Sequence, residues 1–79
     1  MDLLPIGFGN YVVKDKILMI TSPDSAPIKR MIGDARERGM LVDASFGRSS
    51  KSLVLLSSGH LVLSSCSTEE LTKELRLGS

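Results

Sequence analysis

Apolar residues fall in short runs along this chain, broken by glycine, proline and serine, and the period of each run assigns it to a strand or a helix. Leu3 to Phe8 and Tyr11 to Thr21 are rich in Leu, Ile and Val and read as strands, the second interrupted or bent at the polar triplet Lys14-Asp15-Lys16. Gly7, Gly9 and Asn10 mark the turn between them. After Pro23, the segment Asp24-Ser25-Ala26-Pro27 supplies cap residues and then a proline in the first helical turn, where its missing N–H goes unused. Ile28, Met31, Ile32 and Ala35 follow at i, i+3, i+4 and i+7, which predicts an amphipathic helix to about Arg38, with Gly39 where a left-handed cap belongs.

Strand patterns return at Met40 to Ser45, Ser52 to Ser57 and His60 to Ser65, and Ser58-Gly59 joins the last two at hairpin spacing. Leu53-Val54-Leu55-Leu56 does not alternate, so both faces of that strand are expected to be covered, one by the helix and the other by a second sheet or a second subunit. Ser67-Thr68-Glu69-Glu70 has the form of a capping box and opens a short helix continued by Leu71 and Leu75. These elements predict a single α+β domain over residues 1–79, a small antiparallel β-sheet with one main amphipathic helix and a short C-terminal helix.

A chain of 79 residues with 42% apolar content and only three aromatic rings must build its core from Leu, Ile, Val and Met. At this size self-association is a common way to complete burial. Cys66 is the single cysteine, so no internal disulfide can form and a reducing, cytoplasmic setting is expected. The first residues do not read as a signal peptide, and the longest aliphatic runs, Ile17 to Ile20 and Leu53 to Leu56, are four residues, too short to span a membrane. Net charge is +1. Residues 1–65 hold eight basic and six acidic side chains (+2), and residues 66–79 hold two and three (−1). Any affinity for a polyanion must therefore come from local charge.

Candidate chemistry is sparse. Gly7-Phe8-Gly9 lacks the third glycine of a dinucleotide loop, since Val12 stands there, and no helix follows to receive a pyrophosphate. His60 and Cys66 are roughly 20 Å apart on an extended strand, too far to act as base and nucleophile. With one histidine and one cysteine no metal-ligand set is visible, so no enzyme activity, metal, cofactor or small-molecule substrate is expected. Asp34 and Glu37 lie among Arg30 and Arg38 on the polar helix face, where i to i+4 pairing is ordinary surface stabilisation. Tyr11, Phe8 and Phe46 are assigned to core or interface rather than to base stacking. What remains is basic loop residues: Lys14 and Lys16, and Arg48 and Lys51 in Phe46-Gly47-Arg48-Ser49-Ser50-Lys51, where glycine and hydroxyls let phosphate oxygens approach.

Ile6-Gly7-Phe8-Gly9-Asn10, Ser22-Pro23-Asp24-Ser25-Ala26-Pro27-Ile28-Lys29-Arg30, Asp34-Ala35-Arg36-Glu37-Arg38-Gly39 and Leu41-Val42-Asp43-Ala44 resemble the RemA family of bacterial extracellular matrix regulatory proteins. The similarity runs through most of residues 6–65. It implies a DNA-binding transcriptional regulator of biofilm matrix genes, a homo-oligomeric ring with duplex DNA following its outside, and Lys16, Arg48 and Lys51 as contact residues. The family loop reads approximately Gly-Arg-Arg-Thr-Arg, whereas this chain has Gly47-Arg48-Ser49-Ser50-Lys51; Lys16 falls where the family commonly has arginine, and acidic residues before His60 are replaced by Ser57-Ser58-Gly59. A lysine lacks the forked geometry of guanidinium, so weaker binding per protomer is expected. The alternative is a ring-forming scaffold or protein-interaction module with a weakened DNA face.

Overall fold

The computed structural model describes residues 2–77. Strands β1 (Leu3–Gly7) and β2 (Asn10–Val13) form an antiparallel hairpin, and β3 (Ile17–Thr21), β4 (Leu41–Asp43), β5 (Ser52–Leu56) and β6 (Leu61–Ser64) form a sheet in the order β3-β5-β6-β4. Helix α1 (Ala26–Glu37) joins β3 to β4, and α2 (Thr68–Leu77) follows β6. The α+β class expected from the sequence is the one observed.

The apolar stretch Tyr11 to Thr21 serves two sheets. Lys14-Asp15-Lys16 make a single 3-10 turn with no buried residue. The Lys14 N–H donates to the Asp2 carbonyl (3.0 Å) at the end of the first ladder, and the Lys16 carbonyl accepts from the Ser57 N–H (2.7 Å) at the start of the second. Three charged side chains thus mark where the chain leaves one sheet for the other.

One strand pair departs from an antiparallel sheet: β4 runs parallel to β6, with Leu41, Val42 and Asp43 opposite Leu61, Val62 and Leu63. The cause is α1. A helix that crosses a sheet face delivers its two flanking strands in the same direction, and the β5–β6 hairpin occupies the space between β3 and β4.

Alternation along β5 and β6 sorts the core into two layers. Leu53, Leu61 and Leu63 are buried against Ala35, with Ile28, Met31, Ile32 and Leu55 packed around them, so the apolar stripe of α1 covers this face as its period predicts. Val54 and Val62 point the other way, into Leu4, Ile6 and Val12 of the hairpin and Leu71 of α2, with Leu56 and Leu75 at the margin. Leu53 to Leu56 is therefore covered on both faces within one chain, by α1 on one side and by the small sheet and α2 on the other.

Polar hydroxyls tie the second layer together. Ser52 and Ser64 are opposite each other and fully buried. Ser64 Oγ donates to the Ile6 carbonyl at 2.7 Å and accepts from the Cys66 N–H at 3.0 Å, while Ser52 Oγ donates to the Cys66 carbonyl at 2.8 Å. The hairpin, the sheet and the entry to α2 meet at these two serines.

The helix ends follow local chemistry. Gly39 takes φ +72°, the Met40 N–H reaches the Ala35 carbonyl at 2.8 Å and the Gly39 N–H the Arg36 carbonyl at 3.3 Å, which together form a Schellman cap. At α2 the expected capping box is made: the Glu70 N–H donates to Ser67 Oγ (3.1 Å) and the Ser67 N–H to Glu70 Oε1 (3.3 Å). At α1, Ser25 is the cap residue but makes no side-chain cap hydrogen bond, and Asp24 is engaged by Ser22 instead. Among the described residues no salt bridge joins Arg30 to Asp34 or Asp34 to Arg38; the Arg38 backbone N–H donates to the Asp34 carbonyl at 3.1 Å.

Candidate nucleic-acid interface

Two loops converge at one end of the molecule, and each carries a Phe-Gly pair at its tip. Between β1 and β2, Phe8 and Gly9 have φ +54° and +77°; between β4 and β5, Phe46 and Gly47 have φ +53° and +76°. Positive φ at both central residues is the pattern of a type I′ turn, which normally uses Asn-Gly or Gly-Gly. The second turn closes with the Arg48 N–H on the Ser45 carbonyl at 3.0 Å, and the first is supported by Asn10 Nδ2 donating to the Gly7 carbonyl at 3.1 Å.

The longer loop is anchored at both ends. Asp43 Oδ1 accepts from the Ser45 backbone N–H (3.0 Å) and from the Ser45 hydroxyl, and these hydrogen bonds, the hydroxyl first, hold its carboxyl below the ordinary carboxylate range. Ala44 and Ser45 are buried, and the Ala44 N–H donates to the Leu63 carbonyl at 2.9 Å. At the other end the Lys51 N–H reaches the Ser64 carbonyl at 2.8 Å and Ser52 enters the core. The residues between, Phe46 to Lys51, project from a fixed base.

The two rings meet. Phe8 and Phe46 have centroids 5.2 Å apart and planes tilted by 54°, and the Arg48 guanidinium carbon stands 5.6 Å from the Phe8 centroid. Both rings are surface groups, Phe8 48% and Phe46 70% exposed, as is Tyr11 at 60%. Of the two places expected for these aromatics, core or interface, the core is ruled out: all three rings lie on the surface of the single chain. Beside the rings lies an open recess of about 480 Å³ lined by Phe8, Arg48, Ser49, Lys51 and Ser65, with two cations and no carboxylate in its wall.

Arg48 and Lys51 are thus brought together. Lys16 lies elsewhere, on the 3-10 turn, where it lines an open groove of about 460 Å³ with Tyr11, Val13, Leu56 and Ser57. His60 Nδ1 pairs with Ser58 Oγ at 2.8 Å within its turn, and Cys66 is half-buried at the end of β6. Among the described residues no group of three or more His, Cys, Asp and Glu side chains could hold a metal, and no helix is long and apolar enough to cross a membrane. The rings were not assigned to the site from the sequence, although the Phe-Gly pair repeated at residues 8–9 and 46–47 is its visible trace.

The backbone at Phe46 gives a direct check on this geometry. A left-handed residue with a Cβ is disfavoured by roughly 1–2 kcal/mol, so Phe46→Gly is expected to be more stable than Phe46→Ala by about 1 kcal/mol after the greater entropy of glycine is allowed for. In thermal unfolding this is a difference of roughly 4–8 °C. Equal midpoints would mean the turn at residue 46 is not left-handed.

Comparison with known proteins places the chain in a defined group. The profile of the extracellular matrix regulatory protein A-like (RemA-like) family matches residues 3–75. Extracellular matrix regulatory protein A of Bacillus subtilis is 48% identical over 75 residues, covering 95% of this chain and 84% of the relative. A protein of Dictyoglomus turgidum named for a regulatory role is 47% identical over 78 residues, 99% of this chain and 92% of its own length. One from a Synechococcus species, named likewise, is 52% identical over 67 residues, 85% of this chain and 75% of its own.

Proposed function

The chain belongs to the RemA-like family of extracellular matrix regulatory proteins, and on that premise we propose that it regulates matrix genes by binding duplex DNA as a homo-oligomeric ring. The observation that carries the reading is the recess in which Arg48 and Lys51 face one space without an opposing carboxylate, on a loop hydrogen-bonded to the sheet at both ends. Anchored cations of this kind suit phosphate oxygens, which fix a protein's register on a duplex without reading its sequence. Lys16 supplies a second point of contact from its own groove. Base readout has little support: the exposed face of α1 mixes Lys29, Arg30 and Arg36 with Asp34 and Glu37.

A net charge of +1 gives little attraction for DNA on its own. A ring repeats each weak contact at high effective concentration along one duplex, so affinity grows with the number of protomers engaged. The edge strands and exposed apolar side chains Leu18 and Val42 leave surface for such assembly.

The test is fluorescence anisotropy against a long duplex at two salt concentrations, with the mass of each variant measured by light scattering. Arg48→Ala removes a charge-assisted contact worth about 1.5–3 kcal/mol, so affinity should fall about tenfold or more for one engaged protomer and further in an assembly. Ser49→Arg should tighten binding, and wild-type affinity should drop steeply with salt. If the wild type fails to bind at low salt while remaining assembled, the DNA reading is wrong. A ring-forming scaffold, the reading that Ser49 and the near-neutral charge favour, then takes its place.

A further inference from the structure

We propose that Phe8 and Phe46 are positioning residues for Arg48: together they form an aromatic platform that holds the guanidinium toward the open recess it shares with Lys51. The inference rests on the DNA-binding reading above and deepens it by naming the residues that aim Arg48 at the phosphodiester oxygens.

Backbone strain points here first. Among the described residues only Phe8 and Phe46 combine a side chain with positive φ, and they are the two whose rings touch. Bulky residues persist in that conformation where the surroundings over-determine it, and such residues gather at binding sites. Asparagine or glycine would make either turn with less strain, so the backbone does not account for phenylalanine. Nor does burial, since Phe8 is half exposed and Phe46 more so. What the rings do have is each other and Arg48, 5.6 Å from the Phe8 centroid.

The chemistry follows from guanidinium geometry. A cation–π contact with the ring face consumes none of the guanidinium N–H donors, which stay available to pair with two oxygens at once. A side chain held this way loses less rotamer freedom when phosphate arrives than one free in solvent. Lys51 contributes charge without direction, so the directional half of the site depends on Arg48, and Arg48 depends on the platform. Because Phe8 and Phe46 come from different loops, the site is assembled only when the hairpin and the large sheet are docked.

The experiment is a double-mutant cycle with Phe8→Leu and Arg48→Ala, read by anisotropy on a long duplex at low salt, together with the NMR signals of the Arg48 side chain in the free protein. Phe8→Leu should weaken binding about two- to fivefold, the range an exposed cation–π contact supports. It should add nothing in the Arg48→Ala background. Phe8→Tyr, which keeps the ring, should bind as the wild type does. The Arg48 side-chain protons should be ring-current shifted in the wild type and move toward free-arginine values in Phe8→Leu, and Phe46→Leu should reproduce the pattern at smaller size. Additive losses, or Arg48 signals that do not respond, overturn the platform while wild-type binding keeps the DNA reading alive. Absence of wild-type binding overturns both.

Discussion

Leu53→Asp is expected to abolish the folded state. Leu53 is fully buried between α1 and the sheet, among Ala35, Leu61 and Leu63. Truncating such a leucine to alanine alone costs about 2–5 kcal/mol, and a domain of this length has only about 4–12 kcal/mol of stability in all. Aspartate adds a charge with no partner in an apolar layer, so the combined penalty exceeds what the fold can absorb. Leu18→Asp is the control, because Leu18 lies on the edge strand β3 and is 66% exposed. Far-ultraviolet circular dichroism and NMR dispersion should show loss of structure for Leu53→Asp and retention for Leu18→Asp. A dispersed spectrum for Leu53→Asp with a midpoint within a few degrees of wild type would refute the two-layer core.

Ser64→Ala should be the most damaging removal of a single oxygen. The Ser64 hydroxyl donates to the Ile6 carbonyl and accepts from the Cys66 N–H, joining three segments at a position with no exposed surface. Alanine fits the space but leaves both groups unmatched where water has little access. Each unsatisfied group costs about 1–3 kcal/mol, and at roughly 4–8 °C per kcal/mol for a domain of this size the midpoint should fall by at least about 8 °C. Ser49→Ala, at an exposed loop position, should leave the midpoint unchanged. A neutral Ser64→Ala would show that the serine clasp does not hold the small sheet to the large one.

Periodicity made much of this fold legible. Ile28, Met31, Ile32 and Ala35 announced α1 and the face it buries, and the unalternating Leu53 to Leu56 announced a strand covered on both sides. Direction and cover were harder to read. Nothing in Leu41-Val42-Asp43 says that β4 runs parallel to its neighbour; that follows from the path of α1 across the sheet, a property of topology rather than of any residue. The second cover of Leu53 to Leu56, left between another sheet and another subunit, is supplied by residues from both ends of the same chain, a pairing that local pattern cannot reveal. Tyr11 to Thr21 carried its own interruption at Lys14-Asp15-Lys16, but not that the break separates two sheets.

The site was partly legible for a different reason. Arg48 and Lys51 could be picked out as charges in a glycine-containing loop, whereas Lys16, chosen as a basic residue between apolar stretches at a position where the family it resembles carries a basic side chain, stands in another groove. Phe8 and Phe46 were assigned by hydrophobicity to core or interface. Residues 38 positions apart meet only through tertiary structure, and the clue, an aromatic residue where a left-handed turn prefers asparagine or glycine, lies in turn chemistry rather than in hydropathy.

The anchoring of the loop between Ser45 and Ser52 separates two kinds of inheritance. Its ends are committed to the core, so substitutions there are tested first for whether the chain folds at all. Ser49, outside that framework, is exposed and can gain or lose a charge with little expected effect on folding, so if the loop does grip a polyanion, selection could adjust that grip among descendants that share one stable scaffold. The Phe-Gly tips lack this liberty: on the platform reading, loss of either ring would alter backbone strain and the bearing of Arg48 together. Divergence among relatives should accordingly be written in the charges of the loop and not in its aromatic tips, a pattern that an alignment of many such sequences would display or refute.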